Sequence, residues 1–174
     1  MVELLSPQKP AQDSAQESAA VPAPLLAVQL HPQALEPLEA LAGWQAQLAN
    51  LPGGAPAAES QFIGRVRGVN ATGESLQALE LEHYPGMTEA CLWALAEAAA
   101  RRHRVAAVLV RHRIGRVLPG EAIVLVAVAA DRRGPAQRCG QELLEVLKHE
   151  APFWKREWSG GVGRWVEGNT ALDG

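Results

Sequence analysis

The chain has 174 residues, a mass of 18.6 kDa, a net charge of −3 at pH 7 and a pI near 6.0. That length suits one domain with a real core, and the acidic balance excludes a global attraction to nucleic acid or to an anionic membrane. Any anion site must be local, which favours a small ligand.

No stretch reaches the roughly 18 to 20 continuous apolar residues that span a bilayer, and the first residues lack the basic region and apolar run of a secretory signal. A cytoplasmic location is the expectation. The two cysteines, Cys91 and Cys139, are isolated, with no CxxC and no Cys/His cluster at metal-ligand spacing. Both read as small buried apolar residues, and no metal is expected.

Residues 1–24 are rich in Ala, Gln, Ser, Glu and Pro and hold little that could offset the entropy of ordering, so a disordered tail is expected. Leu25–Leu30 is a short strand candidate, and Leu35, Leu38, Leu41 and Trp44 recur at helical spacing despite Pro37. From Gln61, QFIGRVRGVN reads as a strand offering Phe62, Ile63 and Val66 to the core, with Arg65 and Arg67 on one face. Ser75–Tyr84 reads as a second strand, hairpin-paired to the first across the Gly68–Gly73 loop and stopped by Pro85-Gly86.

Thr88 is suited to cap a helix whose core stripe is Cys91, Leu95 and Ala98, and whose end at Arg101–Arg104 is a solvated, dipole-compensating run. Val105–Val110 and Ile123–Ala130 read as buried strands on either side of the turn Leu118-Pro119-Gly120. A second long helix opens near Pro135 with the stripe Ala136, Cys139, Leu143 and Leu147, and Pro152 forbids its continuation. Gly163–Glu167 is a last strand candidate, and residues 169–174 form a loose tail. One domain over residues 25–168 follows. Without regular βαβ alternation, the class is α+β, with a mixed or antiparallel sheet and two main helices.

The basic residues carry the chemistry. Thirteen are arginines and three are lysines, and two of those three, Lys148 and Lys155, fall within LKHEAPFWKRE (147–157). Arginine binds anions with a fixed fork, whereas a lysine amine can lose its proton or act on a carbonyl. Further cations stand at element ends: Arg65 and Arg67 beside a loop, Arg132 and Arg133 at a strand-to-helix junction, and Arg156 next to Lys155. If adjacent, they form a phosphate site. Plainer roles compete for each: exposed lysines, Arg65 paired with Glu80 or Glu82, a solvated Arg132-Arg133, His83 as a packed imidazole, and Trp154 on the core beside Phe153. No Walker loop, GxGxxG, GxSxG or HExxH occurs.

LELEHYPGMTE (79–89), RHRIGRVLPGE (111–121) and LKHEAPFWKRE (147–157), preceded by GRVR (64–67), together closely resemble the large subunit of molybdopterin synthase. The resemblance covers Gln61 to about Val166. It implies an α+β fold of the α/β-hammerhead kind and insertion of two sulfurs into cyclic pyranopterin monophosphate, making the dithiolene of molybdopterin. Sulfur would come from the C-terminal Gly-Gly thiocarboxylate of a small ubiquitin-like subunit, in a heterotetramer built on a homodimer of the large subunit, with no permanently held cofactor. The family's lysines fall on Lys148 and Lys155 as catalytic residues. Its substrate-binding positions fall on Arg65, Val66, Arg67, Lys155, Arg156 and Glu157, and on Arg132 and Arg133, where the family usually has His-Arg. Arginine at 132 keeps a cation but cannot shuttle a proton near neutral pH. A non-catalytic anion-binding or scaffold module keeping the fold is the alternative.

Overall fold

A computed structural model of the chain describes residues 23–166; the expected terminal tails lie outside that range except for residues 23 and 24. Its elements are β1 (Leu25–His31), α1 (Pro37–Leu48), β2 (Ala58–Arg65), β3 (Ala78–His83), α2 (Met87–His103), β4 (Ala107–Arg113), β5 (Gly115–Val117), β6 (Ala122–Ala130), α3 (Arg133–Glu150), β7 (Phe153–Ser159) and β8 (Val162–Trp165). They form two four-stranded sheets, ordered β1-β4-β6-β2 and β5-β3-β7-β8.

The two continuous apolar runs become the central strands β4 and β6, paired antiparallel, with β1 parallel to β4 at one edge. Alternation along these strands divides their side chains between two cores. Val108, Val110, Val126 and Val128 pack under α2 and α3. Ala107, Leu109, Leu125 and Ala127 pack against Leu41, Trp44 and Leu48 of α1. Coverage on both faces is why neither run shows a polar side. Pro37 begins α1 rather than breaking it, since the first helical position needs no backbone N–H donor.

The hairpin expected between β2 and β3 is not formed. β2 pairs antiparallel with β6, whereas β3 pairs with β5 and β7 in the other sheet. The intervening loop closes on itself through a Val69–Ser75 bridge, with Asn70 Oδ1 accepting from Thr72 N and Glu74 N. This local closure sends the two strands to different partners. Phe62, expected in the core, is 45% exposed, while Ile63 faces inward.

Helix α2 buries Thr88, Leu92, Ala96, Ala99 and Ala100, one step from the expected stripe, and Ala98 is exposed. In an alanine-rich helix the pattern carries little directional information. Gly86 takes the N-cap position, with its N–H donating to Glu89 Oε2 at 2.7 Å. Thr88 is instead fully buried; its Oγ1 accepts from Tyr84 N and donates to Pro152 O, tying the start of α2 to the end of α3. The end of α2 is tied to the middle of α3 as well, because Arg102 and His103 both bond Glu142. The Arg101–Arg104 run is therefore an interhelical clamp as well as a helix end. The stripe of α3 is as expected, with Ala136, Cys139, Leu143 and Leu147 all buried.

Gly64 sits where β2 bulges before Arg65. A Cβ there would lie 2.8 Å from Val124 Cγ1 and 3.2 Å from Phe62 Cε1, and a β-branched valine has little freedom to retreat. Gly64→Ala is expected to lower stability by about 1–3 kcal/mol, measured as a reduced urea midpoint at constant slope; an unchanged midpoint would show that the strands yield.

Candidate functional site

The site begins where α3 ends. Leu147 is buried, which fixes the helix rotation and leaves the next residue, Lys148, half-buried at the edge of the stripe. Pro152 stops the helix and β7 starts at once, carrying the chain into the second sheet beside β3. Sequence reading treated 153–157 as a segment beyond a break, and it is a strand. Its alternation decides which side chains meet. Phe153, Lys155 and Glu157 share one face; Trp154, Arg156 and Trp158 share the other.

The inner face carries the amine. Lys155 stands opposite Leu81, which is 1% exposed and packs with Val66 and Val117. Burial holds the Lys155 pKa below the ordinary lysine value, and the nearby Lys148 ammonium lowers it further. One amine of the pair is thus shifted toward neutrality, as acid–base chemistry requires.

His112, near the end of β4, belongs to the same region. Its ring stacks on Phe153 at 4.2 Å and its Nδ1 lies 2.8 Å from Arg113 O. Burial lowers its pKa to about 4; the backbone bond opposes that shift and Lys155 adds to it. At neutral pH the imidazole is uncharged and Nδ1 donates to the carbonyl.

Arg65, Val66 and Arg67 run alongside. Val66 is buried in the same cluster as Leu81, and Arg65 and Arg67 are exposed on either side of it. Arg65 does not pair with Glu80 or Glu82: its Nη1 donates to Gly120 O at 3.0 Å. Those carboxylates belong to Arg156, whose Nη2 donates to Glu82 at 2.9 Å and whose Nη1 lies 3.9 Å from Glu80. The Arg156 guanidinium also lies over Trp165, 4.1 Å from the ring centre, in space left because Gly163 has no Cβ. Arg156 therefore lies on the opposite face of β7 from Lys155. Glu157 shares the Lys155 face, opposite Leu79.

Arg132 and Arg133 are exposed at the start of α3. Fifteen helical steps separate Arg133 from Lys148, about 22 Å along the axis. One chain does not bring these two cation groups together.

The remaining candidates take structural places. His83 lies 4.0 Å from Glu89. Trp154 is 43% exposed, its edge against Tyr84, so it does not pack on the core; period-two alternation sends it outward when Phe153 faces in. Cys139 is buried as expected, and burial with the neighbouring Glu142 charge pushes its thiol up to about 12. Cys91 is only half-buried, its Sγ 3.7 Å from Glu150 O. Among the described residues no group of three His, Cys, Asp or Glu could hold a metal, and no helix is long and apolar enough to cross a membrane.

This geometry defines an α+β protein whose candidate reaction centre is built from amines and flanked by guanidinium groups, suited to group transfer on an anionic substrate. The family model described as MoaE protein matches residues 36–150. The molybdopterin synthase catalytic subunit of Ralstonia nicotianae is 44% identical over 124 residues, 70% of each chain. Among solved structures, the molybdopterin biosynthesis MoaE protein from Burkholderia ambifaria superposes with a TM-score of 0.69 at 34% identity, covering 86% of this chain and 94% of that one. A complex of subunits 1 and 2 of molybdopterin-converting factor from Helicobacter pylori shares the fold, with a TM-score of 0.63 at 23% identity over 82% of this chain and 90% of that one. The chain belongs to the MoaE protein family. Its activity is sulfur transfer in molybdenum cofactor biosynthesis, that of a molybdopterin synthase catalytic subunit.

Because Lys148 contributes to the lowered Lys155 pKa, Lys148→Met is expected to raise it. Burial is the larger cause, so the value should stay below that of a free lysine. With three lysines in the chain, an amine-selective NMR titration follows each one; an unmoved Lys155 would separate the two amines.

Proposed function

We propose that Lys148 and Lys155 form the reacting centre at which sulfur passes from the C-terminal thiocarboxylate of a small ubiquitin-like partner to cyclic pyranopterin monophosphate. The observation that carries this reading is the electrostatic coupling of the two amines at the α3–β7 junction, where burial disfavours the Lys155 ammonium. The Helicobacter pylori neighbour is a complex of two subunits of its converting factor, in keeping with an enzyme that works with a partner.

In this reading Lys148 stands beside the partner's acyl terminus and stabilises charge or moves a proton as the thiocarboxylate sulfur bonds to a side-chain carbon of the pterin and an oxygen substituent leaves that carbon, taking up a proton. Water then opens the acyl–sulfur bond, leaving a carboxylate on the partner and sulfur on the pterin. Lys155 and Arg67 hold the pterin and its intermediate, Val66 fixes the segment against the core, and Arg65 and Glu157 border the same face. Arg156, held by Glu80 and Glu82 on the other face, acts by fixing β7 rather than by touching substrate.

Arg132 and Arg133 serve the phosphate from a second copy of the chain. The length of α3 supports this, since about 22 Å exceeds the span of one pyranopterin. A homodimer carrying one partner per large subunit then follows from the site itself. Arginine at 132 supplies charge at all working pH values and no proton shuttle.

Lys148→Ala, assayed with thiocarboxylated partner and cyclic pyranopterin monophosphate, should lose dithiolene formation by at least about 100-fold. A wild-type rate would remove Lys148 from the chemistry. Cys91→Ser with Cys139→Ser should leave the folded enzyme active, because sulfur arrives on the partner; inactivity of that folded variant would contradict the source of sulfur.

A further inference from the structure

The stretch RHRIGRVLPGE (111–121) supplies nothing to the chemistry above, yet it contains the one charged residue among the described residues whose side chain is truly buried. Arg113, at the end of β4, is 4% exposed. Burying a guanidinium costs several kcal/mol unless its contacts compensate, so those contacts indicate its task. Nη2 donates to Arg116 O at 3.0 Å and to Pro32 O at 3.5 Å, while Nη1 lies 3.9 Å from Glu121 Oε2. That same carboxylate oxygen accepts from Leu118 N at 2.8 Å, closing the Leu118–Glu121 turn.

The other side of the turn is bound to the segment read as contacting substrate. Val66 N donates to Glu121 O at 3.0 Å, Gly120 N donates to Val66 O at 2.9 Å, and Arg65 Nη1 donates to Gly120 O at 3.0 Å. Gly120 adopts φ +85, a conformation that suits glycine. Hydrogen bonds thus run from the Glu121 carboxylate through the turn to the backbone between Arg65 and Arg67, and the buried cation faces that carboxylate across 3.9 Å, its Nε and Nη1 making no hydrogen bond among the described residues.

We propose that Arg113 and Glu121 are positioning residues for the Arg65–Arg67 segment. The guanidinium, held by the Arg116 and Pro32 carbonyls, attracts the carboxylate by charge; the carboxylate closes the turn, and the turn sets the angle at which Arg67 leaves the strand. Neither residue touches substrate. The proposal rests on the reading of Arg67 as a substrate contact.

Steady-state kinetics of the complete enzyme, with thiocarboxylated partner and varied cyclic pyranopterin monophosphate, test it with Glu121→Gln, Arg67→Ala and the double variant. Glu121→Gln is expected to raise the pterin KM roughly tenfold with kcat within about twofold of wild type. The double variant should have the KM of Arg67→Ala alone, because both changes remove one positioned contact. A merely structural role would lower the melting temperature and the active fraction, hence kcat, and leave KM alone. If Arg67→Ala raises KM and folded Glu121→Gln does not, or if the two effects add, the positioning role is wrong. If Arg67→Ala leaves KM unchanged, the substrate reading fails and takes the proposal with it. Should Glu121→Gln not fold, Arg113→Lys, which keeps the charge but loses the fork, is judged by the same KM criterion.

Discussion

Helix α3 is a rod of 18 residues, about 27 Å long, and its placement decides where Lys148 lies. Ala136, Cys139, Leu143 and Leu147 lock one side of it onto β6 and β2, leaving no freedom to rotate without exposing a core residue. Lys148 inherits its position from Leu147. Pro152 then forces the chain out of the helix, and β7 enters the second sheet, where pairing with β3 sets Lys155 opposite Leu81. The amine pair is a product of packing at a helix end and register in a sheet. No local motif makes it.

The cations in this molecule divide by what surrounds them. Arg101, Arg102 and Arg156 have carboxylates beside them, and such pairs on the surface add at most about 1 kcal/mol each. Arg113 is buried with Glu121 nearby and organises a turn. At Lys155 burial, and after it the Lys148 charge, shifts the balance toward the neutral amine. Perturbation of that kind marks a functional site more often than a structural one, and it accords with a family whose members transfer sulfur.

Much of this was legible from residues alone. The β-branched runs of β4 and β6 and the 3.6-residue stripe of α3 are strong periodic signals. Their burial on both faces, or on one, follows directly. The pairing of β2 was not legible, because an Asx-closed loop looks the same whether its flanking strands join each other or part. The stripe of α2 was offset since alanine fits a core or a surface equally. Among site residues, the prominence of Lys148 and Lys155 came from the scarcity of lysine, and their roles came from resemblance. The orientation of Arg156 was hidden until β7 was seen as a strand, whose period of two sends neighbours to opposite faces. His112 carries no sequence signal of its own, as its ring stacks on the distant Phe153; the burial of Arg113 was equally hidden, although its partners Arg116 and Glu121 lie close in the chain.

The central claim is that one reaction centre is assembled from both ends of α3, which a single chain holds apart. The most direct measurement mixes two inactive large subunits, one carrying Lys148→Ala and the other Arg132→Ala with Arg133→Ala, and assays dithiolene formation with thiocarboxylated partner. If the phosphate-binding pair comes from the second copy, random pairing restores one intact site in each mixed dimer and about a quarter of wild-type activity returns. A mixture that exchanges subunits yet stays as inactive as either parent would contradict the account.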